Sequence, residues 1–167
     1  VELTAENLAV SKIAVSSDQL EEMTQTSWHL EIHDETCYRN PNTGWLTGTG
    51  TFLTLELVNA RPTDYSFLPD GTYTVDGEPT TDPETGLQQY RIPAVVAGKY
   101  TRPGFYGASS FVRYEEGTET EGTGIYGGTV TVSREGDVYT LVFDLKDDAE
   151  NTISGTYTGT ITEYVVQ

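Results

Sequence analysis

Residues 128–162 read GTVTVSREGDVYTLVFDLKDDAENTISGTYTGTIT, and this stretch decides the fold. Val130 and Val132 share one side of Gly128–Arg134, and Tyr139, Leu141, Phe143 and Leu145 share one side of Val138–Lys146. In Thr152–Thr162, Ile153, Tyr157 and Ile161 oppose a ladder of Thr152, Ser154, Thr156, Thr158, Thr160 and Thr162. A period of two, repeated over three segments joined by short acidic turns, predicts antiparallel strands with one side buried and one in water. Gly155 and Gly159 fall on the inward side, where a missing side chain permits a bend or a close approach of other atoms.

The pattern continues toward the N-terminus. Trp28, Leu30 and Ile32 alternate with His29, Glu31 and His33, and Leu53, Leu55 and Leu57 alternate within Thr49–Asn59. Leu68-Pro69-Asp70-Gly71 is a turn leading into a short strand at Thr72–Val75, with proline presetting φ and glycine free to take positive φ. Further strands are expected at Gln88–Ile92 and Ala108–Tyr114, and a weak one within Val1–Ala14. Ser16-Ser17-Asp18-Gln19, followed by Leu20 and Met23, reads as a capped helical turn. Cys37–Gly50, Asp76–Gly86, Lys99–Gly107 and the acidic tract Glu115–Gly124 read as loops.

Short strands punctuated by turn residues, with one helical hint, predict an all-β chain. The expectation is one domain over residues 1–167, an antiparallel β-sandwich, with a calycin-like meandering β-barrel as the alternative. Residues 1–25 supply an N-terminal strand and short helical turn, and residues 126–163 a three-strand C-terminal meander.

Nine Lys plus Arg stand against 26 Asp plus Glu, a formal net charge of −17. That balance argues against nucleic acid and anionic membranes as partners, because binding to either rests on a basic surface that displaces counterions. Cys37 is the one cysteine, so no internal disulfide can form. No apolar run approaches the ~18 residues of a membrane-spanning helix. A chain of 167 residues buries about 70 % of its unfolded surface, enough core to need no staples.

The turn and strand Leu68–Val75 and the ending Gly128–Ile161 together resemble a family of uncharacterised secreted lipoproteins of gut anaerobic bacteria. In that family an LP-(D/E)-G-T-Y turn precedes a G-T-V-T-V … Y-T-(I/L)-x-F-D-L … I-x-G-x-Y-x-G ending. The resemblance implies an extracytoplasmic protein, periplasmic or on the cell surface, held by a lipid anchor upstream of this sequence. It implies no catalytic residues.

Chemistry-bearing patterns are sparse. His29-x-Glu31-x-His33 places three side chains on one strand face, but residues four apart on a strand lie ~13 Å apart while a metal holds nitrogen at about 2 Å. A solvated polar face is the simpler reading, and no metal or cofactor is expected. The acids Asp70, Asp76, Glu78, Asp82 and Glu84 do not follow a calcium-loop pattern, and Asp147 and Asn151 read as turn formers. No nucleophile elbow or phosphate loop is present.

Aromatic residues in the loops remain. Tyr38 and Trp45 lie in the first long loop, and Tyr100, Arg102, Phe105 and Tyr106 in the stretch 99–107. Rings in loops either cap the sheet core or bind, and flat rings with polar tips suit sugars and peptides alike. These six are the candidate ligand-binding residues, with Trp45 and Tyr106 as anchors. The functional expectation is a non-catalytic envelope module with a structural, adhesive or glycan-handling role and a glycan or envelope protein as partner. A carrier with an apolar barrel pocket is the alternative, and a carboxylate-dependent glycoside-active enzyme a weaker one.

Overall fold

The computed structural model describes residues 9–16, 24–34, 36–40, 42–64, 66–102, 105–106, 108–161 and 164–166; for residues 9–16, 38–39, 100–102, 105–106 and 164–166 the description covers backbone only. The described elements are all strands. They begin with β1 (Ala9–Ser16), β2 (Gln25–His33), β3 (Cys37–Arg39), β4 (Leu46–Gly48), β5 (Gly50–Ala60) and β6 (Gly71–Asp76). Next come β7 (Thr80–Thr81), β8 (Gln88–Gln89), β9 (Ala94–Val96), β10 (Tyr100–Arg102), β11 (Phe105–Tyr106), β12 (Ser110–Glu115) and β13 (Thr118–Gly124). The chain closes with β14 (Gly127–Glu135), β15 (Val138–Lys146), β16 (Thr152–Gly159) and β17 (Tyr164–Val166).

One curled sheet carries the molecule, in the order β16-β15-β14-β6-β9-β5-β2-β1-β17. The long strand β5 pairs with β2 along one side and divides its other side, Gly50–Thr54 to β12 and Leu57–Val58 to β9. The sheet curls so that β2 and β5 share one core with β14, β15 and β16. The two layers of the expected sandwich are therefore lobes of one half-barrel sheet. Most pairings are antiparallel, but β6 with β9 and β1 with β17 are parallel. In the second parallel pair β17, which follows β16 in the chain, lies beside β1 at the opposite end of the sheet order.

Alternation produces the core directly. In β15 the buried residues are Tyr139, Leu141, Phe143 and Leu145, and in β2 Thr26, Trp28, Leu30 and Ile32. Trp28, Tyr73, Phe111 and Phe143 fill the shared interior. Two core tyrosines also hold the turn before β6. Tyr73 Oη donates to Pro69 O at 2.7 Å, and Tyr139 Oη accepts from Leu68 N at 2.9 Å. Desolvation raises the phenols of both, that of Tyr73 to about 12. Gly159 serves its neighbour: a Cβ there would meet the Tyr157 phenol, whose Oη donates to Thr160 O at 2.7 Å.

Several boundaries differ from expectation. The acidic tract 115–124 is mostly strand β13, paired to β12 through a two-residue turn at Glu116-Gly117, both with positive φ. Backbone pairing to an existing strand makes it a strand without inward apolar residues. The expected loops at 37–50, 76–86 and 99–107 contain the small hairpin strands β3–β4, β7 (paired to β8) and β10–β11. The strand expected over Gln88–Ile92 stops at Gln89, because Tyr90 and Arg91 turn their backbone amides to side chains. The helical turn at Ser16–Met23 lies outside the described residues after Ser16, which ends β1; the same holds for residues 1–8 of the N-terminal strand.

Candidate functional site

Trp45 is 75 % exposed, the most exposed of the large hydrophobic side chains described. It sits immediately before β4, on the loop that joins β3 to β4. That loop closes on itself: Asn40 N donates to Trp45 O at 2.8 Å, Gly44 N to Asn40 O at 2.8 Å, and Asn42 N to Asn40 Oδ1 at 2.9 Å. Trp45 N also donates to Thr43 Oγ1 at 3.3 Å. Asparagine is suited to this role because its side chain bonds the backbone two residues on. The ring is thus presented by a hydrogen-bonded loop rather than a slack one.

The base of the hairpin is fixed to the sheet by Asp34. Its Oδ2 accepts from Thr51 N at 3.0 Å and Thr51 Oγ1 at 3.3 Å, and its Oδ1 accepts from Thr36 Oγ1 at 3.2 Å. Thr36 Oγ1 also lies 2.5 Å from Thr49 O. Gly48 has φ +95°, and a Cβ there would run into the Thr36 carbonyl. Beyond it the β12–β13 turn docks on the same base, Gly117 N donating to Gly48 O at 2.8 Å and Glu116 N to Thr49 Oγ1 at 2.9 Å. Two hairpins are therefore locked together at the end of the sheet that carries Trp45.

Of the other residues picked from sequence, Tyr38 lies on β3 opposite Thr47, in the same hairpin as Trp45. Tyr100, Arg102, Phe105 and Tyr106 form the β10–β11 ladder, Tyr100 opposite Tyr106 and Arg102 opposite Phe105. For these five the backbone alone is described, so the candidates divide between two hairpins. Sequence reasoning missed the clamp of Asp34, Thr36, Thr49 and Thr51. Its one signal was the concentration of hydroxyl residues around two glycines in Thr47–Thr51.

The remaining patterns acquire structural roles. His29, Glu31 and His33 lie on the outward face of β2, with His29 opposite Glu56 and Glu31 opposite Thr54. His33 stacks on Phe52 with ring centroids 5.9 Å apart, and its Nδ1 lies 2.8 Å from Asp34 O. Among the described residues no group of three His, Cys, Asp or Glu side chains is placed to hold a metal ion. Cys37 is buried, and desolvation with the Asp34 carboxylate pushes its thiol up to about 11, which disfavours the nucleophilic thiolate. Asp76 accepts from Arg91 Nη2 at 2.6 Å, from Arg91 N at 2.9 Å and from Glu78 N at 3.0 Å. Asp82 and Asp147 each accept backbone amides of their own turns.

No described helix is long and apolar enough to cross a membrane. A scan against family models, a search of curated proteins and a search of solved structures each return no match.

Proposed function

We propose that this protein is a non-catalytic recognition module of a bacterial cell envelope, and that it binds glycan through Trp45. The observation that carries the reading is a tryptophan 75 % exposed on a loop whose base is hydrogen-bonded to the sheet. An indole left in water is unfavourable for solubility, whereas against the apolar face of a sugar it buries that surface. A preformed loop lowers the ordering cost of binding. The net charge of −17 favours an uncharged glycan over an anionic one. The envelope assignment rests on the resemblance carried by Leu68–Val75 and Gly128–Ile161.

A glycan array probed with the purified protein and with Trp45→Ala tests this. Binding to a defined set of neutral glycans, reduced about tenfold or more by Trp45→Ala, is the expected result. Binding that Trp45→Ala leaves unchanged removes the tryptophan from the site. An array without signal returns Trp45 to a contact with a protein partner.

A further inference from the structure

Trp45 has a fixed neighbour across its hairpin. Asn40 N donates to Trp45 O, and Gly44, with φ +73°, is the extra residue of a bulge that sets Trp45 opposite Asn40. Opposite residues of an antiparallel pair share a face, with Cβ atoms roughly 4.5–5.5 Å apart. Cys37, opposite Gly48, is fully buried, so its side of the hairpin meets the sheet. Alternation then puts Asn40, Trp45 and Thr47 together on the other side. Asn40 is committed through one atom, its Oδ1 accepting from Asn42 N at 2.9 Å. A backbone N–H can donate to the amide oxygen alone, so this bond fixes which way round the carboxamide sits. Its Nδ2, with two donors, has no acceptor among the described residues, and the Thr47 hydroxyl has no hydrogen-bond partner among them. Beside the exposed indole stand a donor group that cannot accept and, two residues along the strand, a hydroxyl that can.

These groups narrow the ligand. A donor-only carboxamide calls for an acceptor on the sugar beside the stacked ring. A carboxylate is the strongest acceptor, but Glu116 sits on the turn docked at the hairpin base and the chain carries a net charge of −17, so an anion is disfavoured. Among neutral groups an amide carbonyl accepts with two lone pairs and brings no hydrogen of its own to place. A trans amide also directs its N–H away from its C=O, toward the opposite side. Asn40 and Thr47 are diagonal neighbours across the ladder, roughly 7–8 Å apart. One acetamide spans that separation, accepting from Asn40 and donating to Thr47. Resting on the reading that Trp45 binds glycan, we infer that the site selects N-acetylated hexosamine. The sugar ring lies on the indole, the acetamido group lies between Asn40 and Thr47, and its methyl adds apolar surface against the ring.

The test titrates the whole protein with chitohexaose and with cellohexaose, following tryptophan emission. The two hexamers share linkage and ring geometry and differ in carrying an acetamido group or a hydroxyl on each ring. Chitohexaose is expected to bind about tenfold more tightly than cellohexaose. Asn40→Asp isolates the cause: a carboxylate oxygen still accepts from Asn42 N, so the loop keeps its turn, while both Nδ2 donors are gone. Both hexamers are uncharged, so the added charge favours neither. The variant is expected to keep the thermal midpoint of the wild type and to bind the two hexamers within about twofold of each other. Equal affinities in the wild type, a preference for cellohexaose, or a chitohexaose preference undiminished in Asn40→Asp overturns the acetamide assignment and leaves the glycan reading of Trp45 standing. If neither hexamer moves the emission, the assignment falls too, and the glycan array decides whether the wider reading falls with it.

Discussion

Asp76 is a buried carboxylate at 3 % exposure whose partner Arg91 is largely in solvent, and it ties both ends of the excursion between β6 and β9. The side-chain hydrogen bond from Arg91 holds its carboxyl far below the usual carboxylate range. Because the folded value lies below the unfolded one, the stabilisation is complete above the ordinary carboxylate value of about 4 and is lost as pH falls through the lower folded value. Asp76→Ala is expected to lower stability by about 2 kcal/mol at neutral pH, since it leaves the Arg91 and Glu78 amides without their acceptor. Urea unfolding from neutral pH into acid checks both parts: the wild-type advantage over the variant shrinks on acidification. An advantage independent of pH would contradict the role given to the Arg91 pair. Gly48 is the second residue with a sharp expectation. Gly48→Ala forces a Cβ into the Thr36 carbonyl at φ +95°, and is expected to destabilise by about 1–3 kcal/mol in thermal unfolding.

At the scale of elements, what could be read from the chain separates by where each strand gets its stability. β2, β5, β14, β15 and β16 have an inner side packed into the core, so burial imprinted alternation on Trp28–Ile32, Leu53–Leu57 and Tyr139–Leu145. β13, with the sequence TETEGTG, is held by its backbone ladder to β12 and carries no such imprint. The hairpin β3–β4 is likewise held by Asn40, Asp34 and Thr36, whose hydrogen bonds reach up to 17 residues along the chain. Trp45 was legible because an indole in a polar loop stands out by composition alone. Its clamp was not, because it exists only through the pairing that brings Asp34 and Thr36 to Thr49 and Thr51. If the loop is preformed, Trp45→Ala leaves the thermal midpoint within about 2 °C of wild type, because the ring contributes little packing. A large drop would make the ring a structural cap instead.

At the scale of the whole molecule, one cluster joins both lobes, with Leu55 on β5 and Leu141 on β15 among its members. A shared core predicts that the lobes unfold together. Leu55→Ala and Leu141→Ala are each expected to cost about 2–5 kcal/mol and to move a single transition seen alike by circular dichroism and tyrosine fluorescence. Two separated transitions would show lobes that fold independently. On this frame Trp45 stands exposed on a hairpin whose base is hydrogen-bonded to the sheet, and the glycan proposal turns on what its ring touches. The most direct measurement is tryptophan emission during titration with the strongest array binder, in wild type and in Trp45→Phe. Trp28 is fully buried, so a ligand at the hairpin changes the emission of Trp45 alone. Glycan seated on the indole gives a blue shift that saturates with binding and disappears in Trp45→Phe; saturable binding with unchanged wild-type emission places the glycan away from Trp45 and overturns the proposal.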